Sequence, residues 1–559
     1  MGKMSGAQAI IESLKKLKVK HLFGIPGGQI LPLCDALYDA DLHSILARHE
    51  QCAAHMADGY ARASGFPGVC ISTSGPGATN LVTGIATAYM DSSPIIAITG
   101  QVPKVMIGKD AFQEADIIGI TTPITKWNTQ LRNAQDIPKT VKAAFYIAST
   151  GRPGPVLIDL PRDIQTETCE MDFTSTMEFK GYKPNTKPHP IQVRRAAELL
   201  AKAERPMMLL GGGAIMSGAQ EAVKLAEYLL MPVATTLMGK GSIPEDHPLA
   251  LGMLGMHGTI EANKLVLESD ALLVVGSRFS DRTTGKLDQF CPDATIIHID
   301  IDAAEIGKNA KVDLPIVADA KTTLEMIYQQ TAKNCTRCEK STWLDRIKEV
   351  RSQYQNNNKN SGKHPKPPEI LTELRKLLPK KTIVTTEVGQ NQMWAALHFK
   401  ALEPRTFLSS GGLGTMGFGF PAAIGAKVAR PDVPVVDIAG DGSFIMTEQD
   451  LATSVLEKIP VIVVILNNSV LGMVAQWQRL FYNRRYSWSK LGGLPDFVKL
   501  AEAYGAQGLR AESIAELSGA VKKALKSDVT TVIDVPISSE EDVFPMIPAG
   551  AGLKDVMLT

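Results

Sequence analysis

Short runs of apolar and β-branched residues recur along the chain and alternate with stretches in which apolar residues return every three or four positions. The runs predict buried strands of a parallel sheet, and the stretches predict the helices that cover it. In the first part of the chain the runs lie at 19–23, 43–48, 69–73, 94–99 and 156–160. Strand, loop and helix repeat over this part, which predicts a doubly wound domain.

The same alternation returns twice. Strand-like runs occur at 207–213, 271–276, 295–300 and 316–319, and again at 382–388, 407–410, 434–439, 461–466 and 532–535. A proline-containing stretch at 172–190 and a charged, polar stretch at 331–368 separate the three parts. We therefore predict an α/β chain of three doubly wound parallel-sheet domains, at 1–171, 191–330 and 369–540, followed by a C-terminal tail at 541–559.

The composition limits the classes of ligand. With 559 residues, of which 44% are hydrophobic, the chain is long enough to bury three cores. Its 59 basic and 58 acidic residues leave a formal net charge of +1, which creates no field to attract nucleic acid or an anionic membrane. No apolar run reaches the roughly 20 residues of a membrane helix, and the N-terminal stretch lacks the features of a signal peptide. We expect a cytoplasmic protein that binds small molecules.

The candidate chemistry begins at Gly440-Asp441-Gly442, which follows the strand-like run 434–439. Asn468 follows the next such run, and the 24 residues between Gly442 and Asn467 span a predicted helix and strand. This spacing places Asp441 and Asn468 at the carboxyl ends of two neighbouring parallel strands. Their oxygens suit Mg²⁺, and the glycines let backbone N–H groups approach a phosphate. The pattern resembles the diphosphate and metal signature of thiamine diphosphate enzymes, although two ordinary capped turns are the alternative for this stretch alone.

Two residues elsewhere suit the other needs of that cofactor. Its own 4′-imino group removes the C2 proton only when a carboxylic acid contacts the pyrimidine N1′, and Glu50 stands where the run 43–48 passes into a helix. The alternative for Glu50 is an acid that caps or starts the helix. Met416, in the loop 411–417, suits the apolar wedge that bends the cofactor, whereas an isolated Met is more often core filler. The strings around both residues favour the functional interpretation.

Longer strings narrow the resemblance. They are Gly100-Gln-Val-Pro103, Gly108-Lys-Asp-Ala-Phe-Gln-Glu114, Pro123-Ile-Thr-Lys126, Gly276-Ser-Arg-Phe-Ser-Asp-Arg282 and Met473-Val-Ala-Gln-Trp-Gln478. In type and order they resemble the catalytic subunit of the acetohydroxyacid synthase family, over nearly the whole chain. The resemblance implies that pyruvate is decarboxylated and its hydroxyethyl carbanion is ligated to pyruvate or 2-ketobutyrate. The products would be 2-acetolactate or 2-aceto-2-hydroxybutyrate for branched-chain amino-acid biosynthesis.

The resemblance also implies roles for individual residues. The catalytic set comprises Glu50 as the cofactor-activating acid, Gln113 beside the active site, Arg282 for the acceptor carboxylate and Trp477 to narrow the acceptor pocket. The thiamine diphosphate contacts are Gly389, Gln390, Asn391, Gly414, Met416, Gly440, Asp441, Gly442, Ser443 and Asn468. Asp441, Asn468 and the backbone carbonyl of Val470 would hold Mg²⁺. The first domain would thus bind the pyrimidine, and the third would bind the diphosphate and metal.

The family carries an FAD that performs no redox step in the main reaction, and the central domain would bind it. The matching positions are Arg152, Gly211, Gly212, Gly213, His257, Gly276, Arg278, Asp300 and Asp319. FAD-free catabolic acetolactate synthases lack the string 278–282, so its presence favours the FAD-containing, biosynthetic type. The sequence departs from the family pattern at Asn391, where histidine is usual, and at Val470, where a polar residue is frequent.

The resemblance implies that the cofactor lies between two subunits, in a homodimer or homotetramer, with a small regulatory subunit as a further partner. Two alternatives stay open from the sequence. One is another thiamine-dependent ketoacid enzyme, such as a pyruvate oxidase or a simple decarboxylase. The other is a catalytically silent, nucleotide-binding homologue, against which Glu50 argues.

Overall fold

The computed structural model describes residues 3–176, 178–336, 341–353 and 364–558. In this part of the chain lie three six-stranded sheets, all of whose neighbouring strands are parallel, and one small antiparallel pair. Helices cover the sheets. The prediction of an α/β fold with three parallel sheets is therefore confirmed.

The first sheet has the strand order β3-β2-β4-β5-β7-β6, and β1 and β8 form the antiparallel pair. The strands are β1 Lys3–Ser5, β2 His21–Gly24, β3 His43–Leu46, β4 Gly68–Ser72, β5 Ile95–Gln101, β6 Trp127–Gln130, β7 Val156–Pro161 and β8 Thr168–Glu170. The helices are α1 Gly6–Lys16, α2 Leu31–Tyr38, α3 Glu50–Ser64, α4 Pro76–Asn80, α5 Val82–Met90, α6 Ile117–Thr121, α7 Ile137–Ser149 and α8 Arg162–Thr166.

The second sheet has the order β11-β10-β9-β12-β13-β14, in which the direction of strand addition reverses between β9 and β12. Its strands are β9 Pro206–Leu210, β10 Val233–Thr235, β11 Ala250–Met253, β12 Ala271–Val275, β13 Thr295–Asp300 and β14 Leu314–Val317. Its helices are α9 Pro190–Lys202, α10 Gly212–Met216, α11 Ala219–Leu229, α12 Ile260–Glu268, α13 Asp281–Thr284, α14 Ala320–Asn334 and α15 Thr342–Gln353.

The third sheet has the order β16-β15-β17-β18-β20-β19. Its strands are β15 Ile383–Thr386, β16 Phe407–Ser409, β17 Val435–Gly440, β18 Ile462–Asn467, β19 Gln507–Arg510 and β20 Thr531–Pro536. Its helices are α16 Pro367–Leu377, α17 Gln390–His398, α18 Gly419–Ala429, α19 Asp441–Phe444, α20 Leu451–Leu456, α21 Gly472–Phe481, α22 Phe497–Ala503 and α23 Ile514–Ala524.

The first and third domains of the chain pack closely, through α3 and α18. Gly59 faces the backbone of Ala422, and Gly425 faces the backbone of Met56, so a Cβ on either glycine would overlap a carbonyl group. The absence of side chains at these two positions lets the helices approach to backbone contact. One continuous core of buried residues accordingly includes side chains of both domains.

Two segments outside the predicted domains pack against the central domain. Helix α15 lies in the charged stretch 331–368, yet it buries Trp343, Ile347 and Val350 in a core of that domain. The C-terminal tail adds Ile547 and Leu553 to the same core, and the N–H of Ile547 donates to the carbonyl of Met256 at 2.9 Å. The predicted limits of the domains stay predictions.

Within the described residues, no helix is both long and apolar enough to span a membrane.

Candidate active site

Strands β17 and β18 are parallel neighbours, with Gly440 paired to Leu466. The residues that follow them, Asp441 and Asn468, therefore lie beside one another at one edge of the sheet. Burial raises the pKa of Asp441 to about 6, and hydrogen bonds from backbone N–H groups, including that of Asn468, act in the opposite direction. The Asp441 carboxylate thus faces the segment that follows β18.

A chain of amide side chains sets the orientation of Asn468. Its Nδ2 donates to Oε1 of Gln390 at 3.1 Å, while Nε2 of Gln390 donates to Oε1 of Gln476 at 2.8 Å and to the carbonyl of Glu541 at 2.9 Å. With its nitrogen committed, Asn468 offers Oδ1, which accepts from the N–H of Val470 at 3.3 Å. The donor set of Asp441, Asn468 and the Val470 carbonyl consists of oxygens, which fits Mg²⁺.

A shallow pocket of about 30 Å³ opens at this edge. It is lined by Val388, Gly389, Gln390, Asn391, Trp394, Met416, Gly440, Asp441, Gly442, Ser443, Leu466, Asn468, Val470, Leu471 and Gly472. Among the residues that the structure describes, its lining comes from the third domain alone. Nine of the ten residues predicted to contact thiamine diphosphate line this pocket, and the tenth, Gly414, lines a different cavity.

Asn391, which departs from the family pattern, joins two strand ends. Its Nδ2 donates to the carbonyl of Glu387 at 2.8 Å and to the carbonyl of Ile438 at 2.9 Å. Its Oδ1 lies toward Gly389 and Gly440, close to where a Cβ on either glycine would be. The atom that Asn391 presents beside the pocket is therefore a hydrogen-bond acceptor.

The first domain brings Glu50 and Gln113 to a common loop. Glu50 is the first residue of α3 and is 8% exposed, but the N-cap is His49, whose Nδ1 accepts from the N–H of Gln51. The Glu50 carboxylate instead accepts from Nδ2 of Asn80 at 2.9 Å. The loop 74–77 passes beside the Glu50 carboxylate, which lies near Gly77. Gly75 of the same loop packs against the backbone of Gln113. Asn80 carries no sequence signal and is identified only by this contact.

Glu50 does not line the pocket around Asp441. The Glu50 carboxylate neighbours Asn80 and Gly77, and the pocket around Asp441 is lined by third-domain residues in the part of the chain described. Nine of the residues predicted to contact thiamine diphosphate in the third domain thus share a pocket to which Glu50 of the same chain does not contribute.

A cavity of about 1290 Å³ lies where the three domains meet. Eight of the nine residues predicted to bind FAD line it: Arg152, Gly212, Gly213, His257, Gly276, Arg278, Asp300 and Asp319. The ninth, Gly211, lies against the backbone of Gly276 instead. The loops after β9 and β12 open into this cavity, at the reversal in strand order where open α/β sheets bind ligands.

Close approach of those two loops requires glycine. Gly276 has φ +59°, and a Cβ on Gly213 would lie 2.8 Å from the Cα of Gly276. The N–H of Gly213 donates to the carbonyl of Gly276 at 3.1 Å, so the two loops hold each other in place at the cavity wall. The size of the cavity and its glycine-lined loops fit a dinucleotide such as FAD.

Several charged side chains around the cavity have defined partners or shifted pKa values. Nη1 of Arg152 lies 2.7 Å from a carboxylate oxygen of Glu305. Burial raises the pKa of Asp300 to about 6 and lowers the pKa of His257 to about 4, so His257 is neutral at pH 7. Asp319 caps α14, accepting from the N–H of Thr322 at 2.9 Å. That carboxylate already has a structural role.

Arg282 and Trp477 line the same large cavity. The Arg282 side chain is 53% exposed, and the carboxylate of Asp281 lies 3.9 Å from its Nε. At that distance the guanidinium makes no bidentate pair, and its Nη1 donates to Sδ of Met256 at 3.4 Å, a weak acceptor that a carboxylate ligand can replace. Trp477 lies on α21, one residue after Gln476, which belongs to the amide chain that orients Asn468.

Comparisons with known proteins agree with this geometry. Models of the thiamine pyrophosphate enzyme family match residues 4–120 (N-terminal TPP binding domain), 193–327 (central domain) and 387–535 (C-terminal TPP binding domain). The probable acetolactate synthase large subunit of Methanocaldococcus jannaschii is 54% identical, over 99% of this chain and 95% of its own. The chain belongs to the acetolactate synthase large-subunit family. The resemblance found in the sequence is thus confirmed.

More distant members of this acetolactate synthase family match equally fully. The large subunit of Corynebacterium glutamicum is 46% identical over 99% of this chain and 90% of its own. The isozyme 3 large subunit of Escherichia coli is 43% identical over 100% of this chain and 99% of its own. Because the matches run end to end, the family assignment covers all three domains.

Within this acetolactate synthase fold, a buried ionic cluster that the sequence analysis missed joins the first domain to the Met416 loop. Arg62 donates to Asp58 at 2.6 Å, to Asp91 at 3.0 Å and to the carbonyl of Ser409 at 2.8 Å. Asp91 also accepts from the N–H of Gly412 at 2.6 Å. Each charge is paired, as burial requires.

Proposed function

We propose that the protein is an acetohydroxyacid synthase, which releases CO₂ from pyruvate and joins the remaining two-carbon unit to a second 2-ketoacid. The products are 2-acetolactate or 2-aceto-2-hydroxybutyrate, precursors in branched-chain amino-acid biosynthesis. The 54% identity to an acetolactate synthase large subunit over 99% of the chain carries this proposal. The pocket at the end of β17 and β18, which contains Asp441 and Asn468, agrees with it.

In this proposal thiamine diphosphate supplies the electron sink for the negative charge that decarboxylation leaves. Asp441, Asn468 and the Val470 carbonyl would hold Mg²⁺, which would supply positive charge for the diphosphate. Gln390 keeps the oxygen of Asn468 available by accepting from its nitrogen, and Met416 would pack against the cofactor. The all-oxygen donor set and its arrangement at one sheet edge support these roles.

Glu50 is the proposed acid at the pyrimidine N1′. Its burial, its position in the first turn of α3 and the hydrogen bond from Asn80 support a carboxyl group held ready for one contact. Because Glu50 lies outside the pocket of its own chain, we infer that Glu50 of one chain completes the pocket of another. The active form is then a homodimer or a homotetramer built from such dimers.

FAD is the proposed occupant of the large cavity, held by the glycine loops after β9 and β12. Arg282 receives the carboxylate of the acceptor ketoacid, and Trp477 narrows the space beside it in favour of 2-ketobutyrate. Their shared place on the cavity wall supports this arrangement. The names of the relatives include "large subunit", from which we infer a small regulatory subunit as a partner.

The test is to incubate the purified protein with thiamine diphosphate, Mg²⁺, FAD and pyruvate, and to assay acetolactate, acetaldehyde and hydrogen peroxide in parallel. We expect acetolactate to dominate, and more aceto-hydroxybutyrate than acetolactate when both acceptors are present. Acetaldehyde or peroxide as the main product would replace the proposal with a decarboxylase or an oxidase. Flavin absorbance of the protein after gel filtration tests FAD separately.

A further inference from the structure

Glu387 is a buried carboxylate directly behind the pocket of the third domain. It follows β15, and its side chain is completely buried. Oε2 accepts from the N–H of Gly417 at 2.8 Å and from Oγ of Ser443 at 2.5 Å, and Oε1 accepts from the N–H of Phe420 at 2.9 Å. The carboxylate therefore has donors on both oxygens.

These donors belong to two separate structures that border the pocket. Gly417 follows Met416 in the loop before α18, whereas Ser443 lies in α19, two residues after Asp441. The N–H of Gly417 also lies 3.0 Å from Oγ of Ser443. One side chain thus fixes the apolar wedge and the diphosphate anchor relative to each other.

The surroundings distinguish Glu387 from the acid on the adjacent strand. Asp437 accepts from Oγ1 of Thr385 at 2.9 Å, and within the described residues its Oδ2 has no partner. Burial and the charge of Glu387 raise the pKa of Asp437 well above its usual range. Burial raises the pKa of Glu387 as well, but its hydrogen-bond donors act in the opposite direction, so Glu387 is the better-stabilised anion of the two.

We propose that Glu387 is a positioning residue, which holds the Met416 loop at a fixed distance from the anchor formed by Asp441 and Ser443. This inference rests on the proposed thiamine function of the pocket. The two groups of residues should then affect different quantities. Asp441 and Asn468 should determine the Kd of the cofactor, and Glu387 should determine how well the bound cofactor is bent for loss of its C2 proton. A displacement of about 1 Å at such a support is enough to cost roughly 100-fold in rate.

The decisive variant is Glu387→Gln, which keeps the shape of the side chain. Its amide has one oxygen, so an NH₂ group must face either the Phe420 N–H or the pair of donors at Gly417 and Ser443. At least one of these donors therefore loses its acceptor, which loosens the link through residue 387 while the direct bond from the Gly417 N–H to Oγ of Ser443 remains. Asp437→Asn is the matched control, since it changes an equally buried acid that bonds to neither structure.

Three quantities are measured on the full chain: thermal unfolding without cofactor, the Kd of thiamine diphosphate with Mg²⁺, and the rate at which the bound C2 proton exchanges with D₂O. For Glu387→Gln we expect exchange and kcat to fall together by about 10-fold or more, with the Kd changed by less than about threefold. Asp437→Asn should exchange at nearly the wild-type rate. Wild-type exchange in a folded, cofactor-binding Glu387→Gln protein would overturn the proposal.

A second variant decides the matter if Glu387→Gln does not fold. Ser443→Ala removes one donor to Oε2 and leaves the carboxylate buried, and it should slow C2 exchange several-fold in the same direction. Unchanged exchange in that variant would refute the positioning role. If the wild-type protein itself neither binds thiamine diphosphate nor exchanges its C2 proton, the proposed function fails instead.

Discussion

The first and third sheets share one strand order but carry different chemistry at their edges. Counted from the first strand of each parallel sheet, both orders are 2-1-3-4-6-5, whereas the central sheet has the order 3-2-1-4-5-6. The first sheet presents a buried carboxyl group, Glu50, with Asn80 beside it. The third presents Asp441 and Asn468, with amide donors and glycine loops.

The comparison shows that sheet topology determines where a site forms and that the loop residues determine its chemistry. Strand order determines the edge at which a site forms, because loops at the carboxyl ends of parallel strands meet there. The residues in those loops determine the chemistry. We propose that the first sheet supplies the acid that handles the proton and that the third sheet supplies the metal-binding residues of the same site.

The largest effect on cofactor binding is expected in the third domain. Asp441→Ala removes the only carboxylate of the proposed metal site, so Mg²⁺-dependent binding of thiamine diphosphate should weaken about 100-fold, with activity lost in proportion. Titration calorimetry of the cofactor with and without Mg²⁺ measures this. Asp432→Ala, at an exposed ion pair with Arg430 in the same domain, is the control and should bind normally. Unchanged binding by Asp441→Ala would remove the metal site from the account.

The first domain should respond differently. Glu50→Gln is expected to lower kcat about 100-fold or more while the cofactor Kd changes little, because an amide cannot donate or accept the proton that the acid handles. Steady-state rates and cofactor titration, performed on the same preparation, measure the contrast. Equal losses of binding in Glu50→Gln and Asp441→Ala would erase the functional difference between the two sheets.

A smaller effect is expected at Trp477, in the large cavity. Trp477→Ala widens the proposed acceptor pocket, so the preference for 2-ketobutyrate over pyruvate should fall about 10-fold. Competition between the two acceptors, with both products quantified, gives the ratio. Trp488, which is 96% exposed, provides the matched control as Trp488→Ala. A preference unchanged in the Trp477 variant would assign specificity to other residues.

A change in stability rather than in activity is expected where the first and third domains pack, at His55 on α3, whose ring lies on Phe418 with centroids 5.4 Å apart. Burial lowers the pKa of His55 to about 4, from an ordinary value of 6.5. The unfolded chain therefore binds more protons between these values, and stability is lost as the pH falls from 6.5 toward 4. We expect His55→Asn to reduce the slope of the free energy of unfolding against pH in this range by up to about 1.4 kcal/mol per pH unit. Urea unfolding at pH 7, 6 and 5 measures the slopes, and parallel slopes would contradict the assignment.

Much of the fold could be predicted because buried parallel strands consist of short runs of apolar and β-branched residues. The runs ending before Asp441 and Asn468 predicted neighbouring strands, and β17 and β18 are such a pair. Strand β6 was missed because each of its four residues is half-buried and its apolar signal is weak. Helix α15 was missed because its mean hydropathy is low and only one face is buried.

The site was predictable where its residues stand at strand ends and not where its support comes from distant contacts. Glu387 meets donors that are 30, 33 and 56 residues away. Asp91 bonds to Gly412, 321 residues away. No local pattern marks such pairs, because the fold rather than the sequence spacing brings them together.

The central claim is that each active site takes Glu50 from one chain and Asp441 from another. Chains with Glu50→Gln and chains with Asp441→Ala can be co-expressed under two affinity tags, and dimers that carry both tags can be isolated. A site shared between chains leaves one site of each mixed dimer intact, so roughly half of the wild-type activity should return. If the mixed dimer is as inactive as either variant alone, both residues act within one chain and the account is wrong.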